Sequence, residues 1–307
     1  MVATPSPSPS LPLTLGPLPP LAPLPPADVV LGWAAPRLRD LPWRRTRDPW
    51  SVLVSELMLQ QTQVARVIGR YDAFLVRFPD AAACAAASVG DVVRAWEGLG
   101  YNRRAVNLHR AAVAVVAAGA FPDTLHGLLA LPGVGPYTAR AVLAFAYEAD
   151  AAVVDTNIAR VLARVVGRSL RPRQVQGLAD AWLPAGDAWL WNQAIMDLGA
   201  LRCGARPPRC DDCPLASRCA WRQRGNDDPD PAAGSAGVSG GQSRFDGSDR
   251  QGRGRLVAAL RRGVVPADRL AALMGWPGDE ARARRVAQTL VDDHLALVDG
   301  AGRFRLP

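Results

Sequence analysis

Lysine is missing altogether, so all 36 basic side chains of the 307-residue chain are arginine. No side-chain amine is available to form a Schiff base with a carbonyl. Also missing is any apolar run long enough to cross a membrane. The opening residues, MVATPSPSPSLPLTLGPLPPLAPLPP, have no basic segment ahead of an apolar one and carry proline throughout, which argues against a signal or transit peptide. Residues 1–26 are therefore expected to be a disordered tail on an intracellular, cytoplasmic protein. β-type alternation is scarce, and no internal repeat is present. What remains is a chain with 49% hydrophobic residues, the composition of a soluble globular protein. Its net charge of +8 favours a polyanionic partner.

From about 27 to 222 the periodicity is helical, with breaks at turns bearing proline, glycine or aspartate, so this body is expected to be all-α. Residues 223–249, rich in Gly, Ser, Asp and Pro, read as a flexible linker. Beyond it, 250–307 suggests helices over 252–262, 266–274 and 279–294 and a short hairpin around 299–302. That order is the one of a small winged-helix-like module. Arg250, Arg253, Arg255, Arg261 and Arg262 gather at its start, as phosphate contacts or as a solvated basic face.

The stretch WSVLVSELMLQQTQV (50–64) sets one carboxylate, Glu56, in a segment that otherwise reads as a buried helix. Asp48 as N-cap and Pro49 at the first helical position start that helix. A buried carboxylate must be paired, hydrogen-bonded or protonated, and desolvation raises its pKa. Glu56 is thus either tied to a local arginine or poised as a general acid near neutral pH. In VVDTNIAR (153–160), Asp155 follows an apolar pair and precedes a helix, the position of an N-cap.

Two further patterns carry chemistry. Four of the five cysteines, Cys203, Cys210, Cys213 and Cys219, fall within seventeen residues, a density that favours a metal or iron–sulfur site over a disulfide framework in an intracellular chain. The C-x2-C pair alone would also fit zinc. The same loop carries Arg206 and Arg209, placed to meet phosphates. Cys84, alone in an Ala-rich helix, reads as a small core residue. LPGVGPYTA (131–139) is a tight hairpin in which Gly133 and Gly135 allow close backbone approach and Pro136 opens a helix, leaving N–H groups that suit a phosphate.

The ordered set LPWR (41–44), SELMLQQTQV (55–64), GLGY with RRAVNLH (98–109), LPGVGPYTA, VVDTN, WNQAIMDLGA (191–200) and the cysteine loop resembles the helix–hairpin–helix DNA glycosylase superfamily. Within it, the chain is most similar to adenine DNA glycosylases of MutY type. The resemblance implies an all-α glycosylase fold over 27–222 and a [4Fe–4S] cluster on the four cysteines. It also implies a monomeric base-excision repair enzyme acting on double-stranded DNA with a purine mismatch. Glu56 would be the acid that protonates an extruded adenine, and Asp155 would stabilise the sugar cation. Gln61 and Tyr101 would fill the stack and read the opposite purine, Gln60 would belong to the same DNA-binding surface, Gln193 would touch the adenine, and Arg44 and Asn157 would orient the two carboxylates. Tyr137 stands where bifunctional relatives carry a Schiff-base lysine, so the enzyme would be monofunctional.

Two departures qualify the resemblance. Asn102 replaces the second tyrosine of the usual GLGYY, and fewer than sixty residues follow the linker, too few for the family's Nudix-like C-terminal domain. Two other readings stay open: a thymine or uracil mismatch glycosylase on the same scaffold, and a non-catalytic iron–sulfur DNA-binding protein.

Overall fold

The computed structural model describes residues 23–205, 207–238 and 244–307. In chain order the helices of the body are α1 (Ala27–Ala34), α2 (Pro49–Leu59), α3 (Val64–Arg77), α4 (Ala81–Ala86), α5 (Val89–Ala95) and α6 (Arg103–Ala118). They continue as α7 (Leu125–Leu129), α8 (Pro136–Ala146), α9 (Thr156–Val166), α10 (Pro172–Trp182), α11 (Ala188–Leu201) and the single turn α12 (Ala220–Gln223). The C-terminal part holds α13 (Asp249–Arg262), α14 (Leu270–Met274), α15 (Glu280–Asp292) and an antiparallel pair, β1 (Leu297–Val298) and β2 (Phe304–Arg305). No helix among the described residues is long and apolar enough to cross a membrane.

Local signals in the sequence set the ends that matter. Asp48 accepts from Ser51 N at 2.8 Å and Pro49 fills the first position of α2, so two of the helix's orphan donors are dealt with at once. From Trp50 to Met58 every residue of α2 is buried. Thr124 caps α7, Asp155 caps α9, and the left-handed Gly119 and Gly167 end α6 and α9.

Packing of these helices makes two cores. One gathers α2 to α8, with Leu53, Phe74, Trp96 and Leu108 at its centre; the other gathers α1, α9, α10 and α11, with Ile158, Leu162, Trp191 and Leu198. Met196 of α11 packs against both. Glu56 belongs to an element of the first core and Asp155 to an element of the second, so the seam between the cores is where the two carboxylates face each other.

Two expectations about the C-terminal third are corrected. Residues 226–238, expected within a flexible linker, are packed onto the second core: Asp230 is buried against Arg164 (Nη2 to Oδ2 2.6 Å), Ser235 Oγ accepts from Leu170 N at 3.0 Å, and Ala232 is buried. Short Asp and Ser side chains satisfy the loop's own backbone, as where Asp230 accepts from Ala232 N at 2.9 Å, so a turn-rich composition holds one shape. The C-terminal helices, expected to follow as a separate unit, share the first core through Leu256, Val257 and Leu260. Polar ties fix the docking: Arg261 donates to Val93 O (3.1 Å) and Asn102 Oδ1 (2.8 Å), Arg103 pairs with Asp293 (3.3 Å), and Gly90 N donates to Pro307 O (2.9 Å). Arg261 is therefore engaged within the chain rather than offered to phosphate.

Candidate active site

A cavity of about 560 Å³ opens along the seam, with Arg44, Glu56, Gln60, Tyr137, Asp155 and Gln193 among its walls. Glu56 is 4% exposed, and its Oε2 has no hydrogen-bond partner. Burial pushes its carboxyl up from 4.5 to about 7; the Tyr137 hydroxyl beside it works the other way, Asp155 adds to the rise, and Arg44 opposes it. At neutral pH a large share of this group therefore keeps its proton. Tyr137 is itself held far above the ordinary tyrosine range by burial and by the two carboxylates, so it stays a neutral phenol.

Why Arg44 does not capture Glu56 is visible in its bonds. Its guanidinium is bidentate to Asp197 (both contacts 2.8 Å) and also donates to Arg39 O at 3.1 Å. Arg39 adds Nε to Asp197 Oδ1 at 2.7 Å. Although burial works against it, Asp197 is held below the usual carboxylate range by these two arginines. The charge of Arg44 is thus largely answered before it reaches Glu56, and its Nε, like Glu56 Oε2, is a buried atom with no partner.

Asp155 caps α9 with one oxygen, accepting from Ile158 N at 2.7 Å, and accepts from Asn157 Nδ2 at 2.8 Å with the other. Burial still raises its carboxyl above the usual aspartate range, with those bonds opposing. Asn157 is in turn held by Arg160 (2.7 Å), which donates to Gly199 O (2.7 Å) and Cys203 O (2.6 Å). A chain of hydrogen bonds so joins the aspartate to the cysteine loop.

Gln61, on the wall of the cavity, and Tyr101, outside it, are both exposed and both in the left-handed region, at φ 52° and 44°. Neither residue type favours that conformation, and strain of this kind persists where the surrounding structure fixes it. Here one buried guanidinium does so. Arg104 donates to Leu57 O (2.7 Å), Met58 O (2.9 Å), Thr62 Oγ1 (3.0 Å), Leu99 O (3.1 Å) and Gly100 O (3.0 Å), and to Gln60 O as well, tying both turns together. On the hairpin, Gly133 has φ 79°, and a Cβ there would stand 2.6 Å from Asn107 Cβ; only glycine fits. Gly135 leads into α8, whose first turn has no side-chain cap.

Cys203, Cys210, Cys213 and Cys219 line one small cavity together with Leu198, Leu215 and Trp221. Among the described residues no three His, Cys, Asp or Glu side chains converge as they would around one metal ion. Arg164 Nη1 donates to Cys203 Sγ at 3.4 Å and Asn226 Nδ2 to Cys210 Sγ at 3.6 Å. Burial pushes the Cys203, Cys213 and Cys219 thiols up, Cys213 to about 11, so thiolates at these positions require compensating positive charge.

Residues 54–184 match the family model of the HhH-GPD superfamily base excision DNA repair proteins. The chain is 43% identical over 284 residues to the adenine DNA glycosylase of Mycolicibacterium smegmatis, a match covering 90% of this chain and 94% of that protein. The chain belongs to the adenine DNA glycosylase family. Human adenine DNA glycosylase matches at 41% identity over 212 residues, covering 64% of this chain and 39% of the human one. A thermostable thymine-DNA glycosylase of solved structure superimposes with TM-score 0.62 at 30% identity, over 64% of this chain and 95% of that one. The body thus has the helix–hairpin–helix glycosylase fold, and the chain is a DNA N-glycosylase.

In this glycosylase the residues singled out by sequence fall into three groups. Arg44, Glu56, Gln60, Gln61, Tyr137, Asp155, Asn157 and Gln193 meet at the one cavity. Tyr101 stands outside it, and Gly133 and Gly135 form the hairpin. Arg209 is exposed on the cysteine loop, while Arg206 lies outside the described residues. Sequence reasoning gave no role to Asp197, although it shows the same signal as Glu56, a lone carboxylate in an apolar helix. Gly237, from the packed strap, also reaches the cavity wall; a Cβ there would meet Ala159 Cβ at 2.9 Å.

Proposed function

We propose that this glycosylase removes adenine mispaired with 8-oxoguanine or guanine in duplex DNA, as a monomer and without lyase activity. The observation that carries the reading is Glu56: a buried carboxyl whose Oε2 is left without a partner, which keeps its proton near pH 7 and lines, with a second carboxylate, a cavity open to solvent. Loss of a neutral purine needs a leaving group made cationic and an anion beneath the sugar that becomes positive. With adenine extruded into the cavity, Glu56 gives its proton to N7, the C1′–N9 bond breaks with its electron pair passing to the base, and Asp155 stabilises the oxocarbenium ion. The ionised Glu56 then takes a proton from the water that adds to C1′. Gln193 lines the pocket where the base edge would lie, and the uncapped first turn of α8 offers N–H groups to a backbone phosphate.

The four cysteines fit a [4Fe–4S] cluster, because four thiols line one cavity and two of them are approached by the donors of Arg164 and Asn226. When bound, such a cluster supplies four metal–thiolate bonds that fix the loop. Protein prepared without oxygen is expected to be brown and to carry about four irons per chain; zinc without iron would refute the assignment. With no lysine in the chain, the expected product is an intact strand with an abasic site. A single-turnover panel with adenine opposite 8-oxoguanine or guanine, and thymine or uracil opposite guanine, decides the substrate. Adenine release is expected; release of thymine or uracil instead would favour the alternative suggested by the likeness to the thymine-DNA glycosylase.

A further inference from the structure

Residues 96–102 join α5 to α6 and carry the exposed Tyr101 near their end. Gly98, Gly100 and Tyr101 all have left-handed backbone, at φ 84°, 69° and 44°, and for the tyrosine that region is strained. Such a loop keeps one shape where the surrounding structure fixes it. Arg104 holds its middle, at Leu99 O and Gly100 O. Its two ends are held by the C-terminal helices. Arg261 of α13 donates Nε to Val93 O, in the last turn of α5, at 3.1 Å, and Nη2 to Asn102 Oδ1, just ahead of α6, at 2.8 Å. One guanidinium thus closes the base of the loop. Val93 O is among the carbonyls that a helix end leaves without an intrahelical partner. Asparagine is a favoured N-cap, yet the side chain of Asn102 makes no capping bond to α6 and is turned to Arg261 instead. The next residue, Arg103, pairs with Asp293 at 3.3 Å, and Asp293 is itself held by Arg253 of α13 at 2.5 Å.

What the loop carries makes its placement matter. Tyr101 is 40% exposed, and Arg104 ties its turn to that of Gln61, which borders the carboxylate cavity. A base reaches that cavity only by leaving the duplex, and a side chain set into the gap offsets the lost stacking. We propose that the C-terminal helices set the position of Tyr101 for this step. Arg261 is then a positioning residue, acting through Asn102 on the opening of the duplex and not on the breaking of the C1′–N9 bond. A contact that served only to dock α13 would have no need of both ends of one loop. Both acceptors are neutral oxygens, so the bonds fix geometry and cancel no charge. The arginine-rich start of the segment suggested phosphate contacts, whereas Arg261 is an internal strut. This inference rests on the glycosylase reading above but not on adenine as the base removed.

Two rates on the same duplex separate opening from chemistry. 2-Aminopurine placed beside the mispaired base brightens as the stack opens, so its stopped-flow trace gives the rate of opening, and single-turnover product at saturating enzyme gives excision. A second duplex carries the same base within a run of unpaired bases, where the stack is already open. Asn102→Ala removes the acceptor without altering the C-terminal helices, and Arg261→Leu removes the donors. Each is expected to slow opening of the mispaired duplex, and excision with it, by about tenfold, the size of one lost hydrogen bond to a charged group. Excision from the open duplex is expected to stay near the parental rate. Asn102→Asp keeps an acceptor for Arg261 and is expected to open the mispaired duplex as the parent does. Unchanged opening in Asn102→Ala and Arg261→Leu overturns the inference. So does an equal fall on the two duplexes, which would put the defect in the cavity or in folding, and so does a loss in Asn102→Asp as large as that in Asn102→Ala. If Arg261→Leu does not fold, the two variants of Asn102 carry the test. A parent that spares adenine and opens a thymine or uracil mispair refutes the proposed substrate, and the same rates are then read on that duplex.

Discussion

The carboxylate cavity and the cysteine cavity both bury groups that water would ionise, and both have arginines close by. They use those arginines in opposite ways. At the carboxylate cavity Arg44 is turned to Asp197, whose two oxygens take up its charge, so Glu56 meets a largely neutralised neighbour and keeps its proton. At the cysteine cavity Arg164 reaches Cys203 sulfur, while its other donors hold Asp230. Burial opposes the Arg164 charge, but its bonds to Asp230 and Cys203 outweigh it and keep it positive. The lesson is that distance to an arginine does not fix the charge of a buried acid; the arginine's other partners do.

The largest expected effect comes from removing the proton that this division preserves. Glu56→Gln should bind mispaired DNA as the parent does and lose about 10³-fold or more in excision rate, measured in single turnover. Next, Asp155→Asn separates a structural role from a chemical one. Asparagine caps a helix about as well as aspartate, so melting should move little while excision falls about a hundredfold or more; full activity would leave Asp155 only a cap.

Asp197→Asn breaks the comparison itself. Arg44 would face Glu56 without its counter-charge, the Glu56 pKa should fall by about one unit, and the pH above which excision declines should move down with it. Stability should drop by about 3 kcal/mol or more, because a buried guanidinium loses its partner. A pH profile that stays in place would show that Arg44 was never screened.

A last effect concerns stability against pH and leaves the chemistry aside. The folded protein holds the Glu56 proton up to about 7, while the unfolded chain releases it near 4.5, so the folded state binds more protons in that window. Parent stability attributable to this group is full below the lower value and declines as pH rises to the upper one. Glu56→Gln should therefore gain on the parent by about 3 kcal/mol between pH 4 and pH 8, read from denaturant melts at both ends.

Much of this was legible in sequence, for reasons that can be named. Asp48-Pro49 marked the start of α2, and an unbroken apolar surround marked Glu56 as buried. The capping position of Asp155 and the crowding of four cysteines were equally local. Asp197 showed the same local signal and was passed over, because what gives it meaning is Arg44, 153 residues away. The packing of 226–238 was hidden by its composition: Gly, Ser, Asp and Pro suit a mobile linker and a well-bonded loop alike, and only the reach of Asp230 to Arg164 distinguishes them. Left-handed backbone at Gln61 and Tyr101 had no signal at all, since neither residue type announces it. Asn102, a departure from the family pattern, becomes intelligible as the acceptor for Arg261.

Arg104 remains to be considered for what it does to the search along DNA. Under the proposed function the turns of Gln61 and Tyr101, which one guanidinium holds at a set separation, would meet each base pair as a finished probe rather than one assembled on contact. Burial pulls that guanidinium down to about 10, still charged at physiological pH, so the probe does not loosen with ordinary changes of acidity. A rigid probe spends no time refolding at each step, and the interval at each pair is set by how readily that pair opens. Sound pairs, which open seldom, would be passed quickly, and weakly stacked ones would hold the protein in place: sorting by dwell time, done by the DNA's own mechanics before either carboxylate is reached.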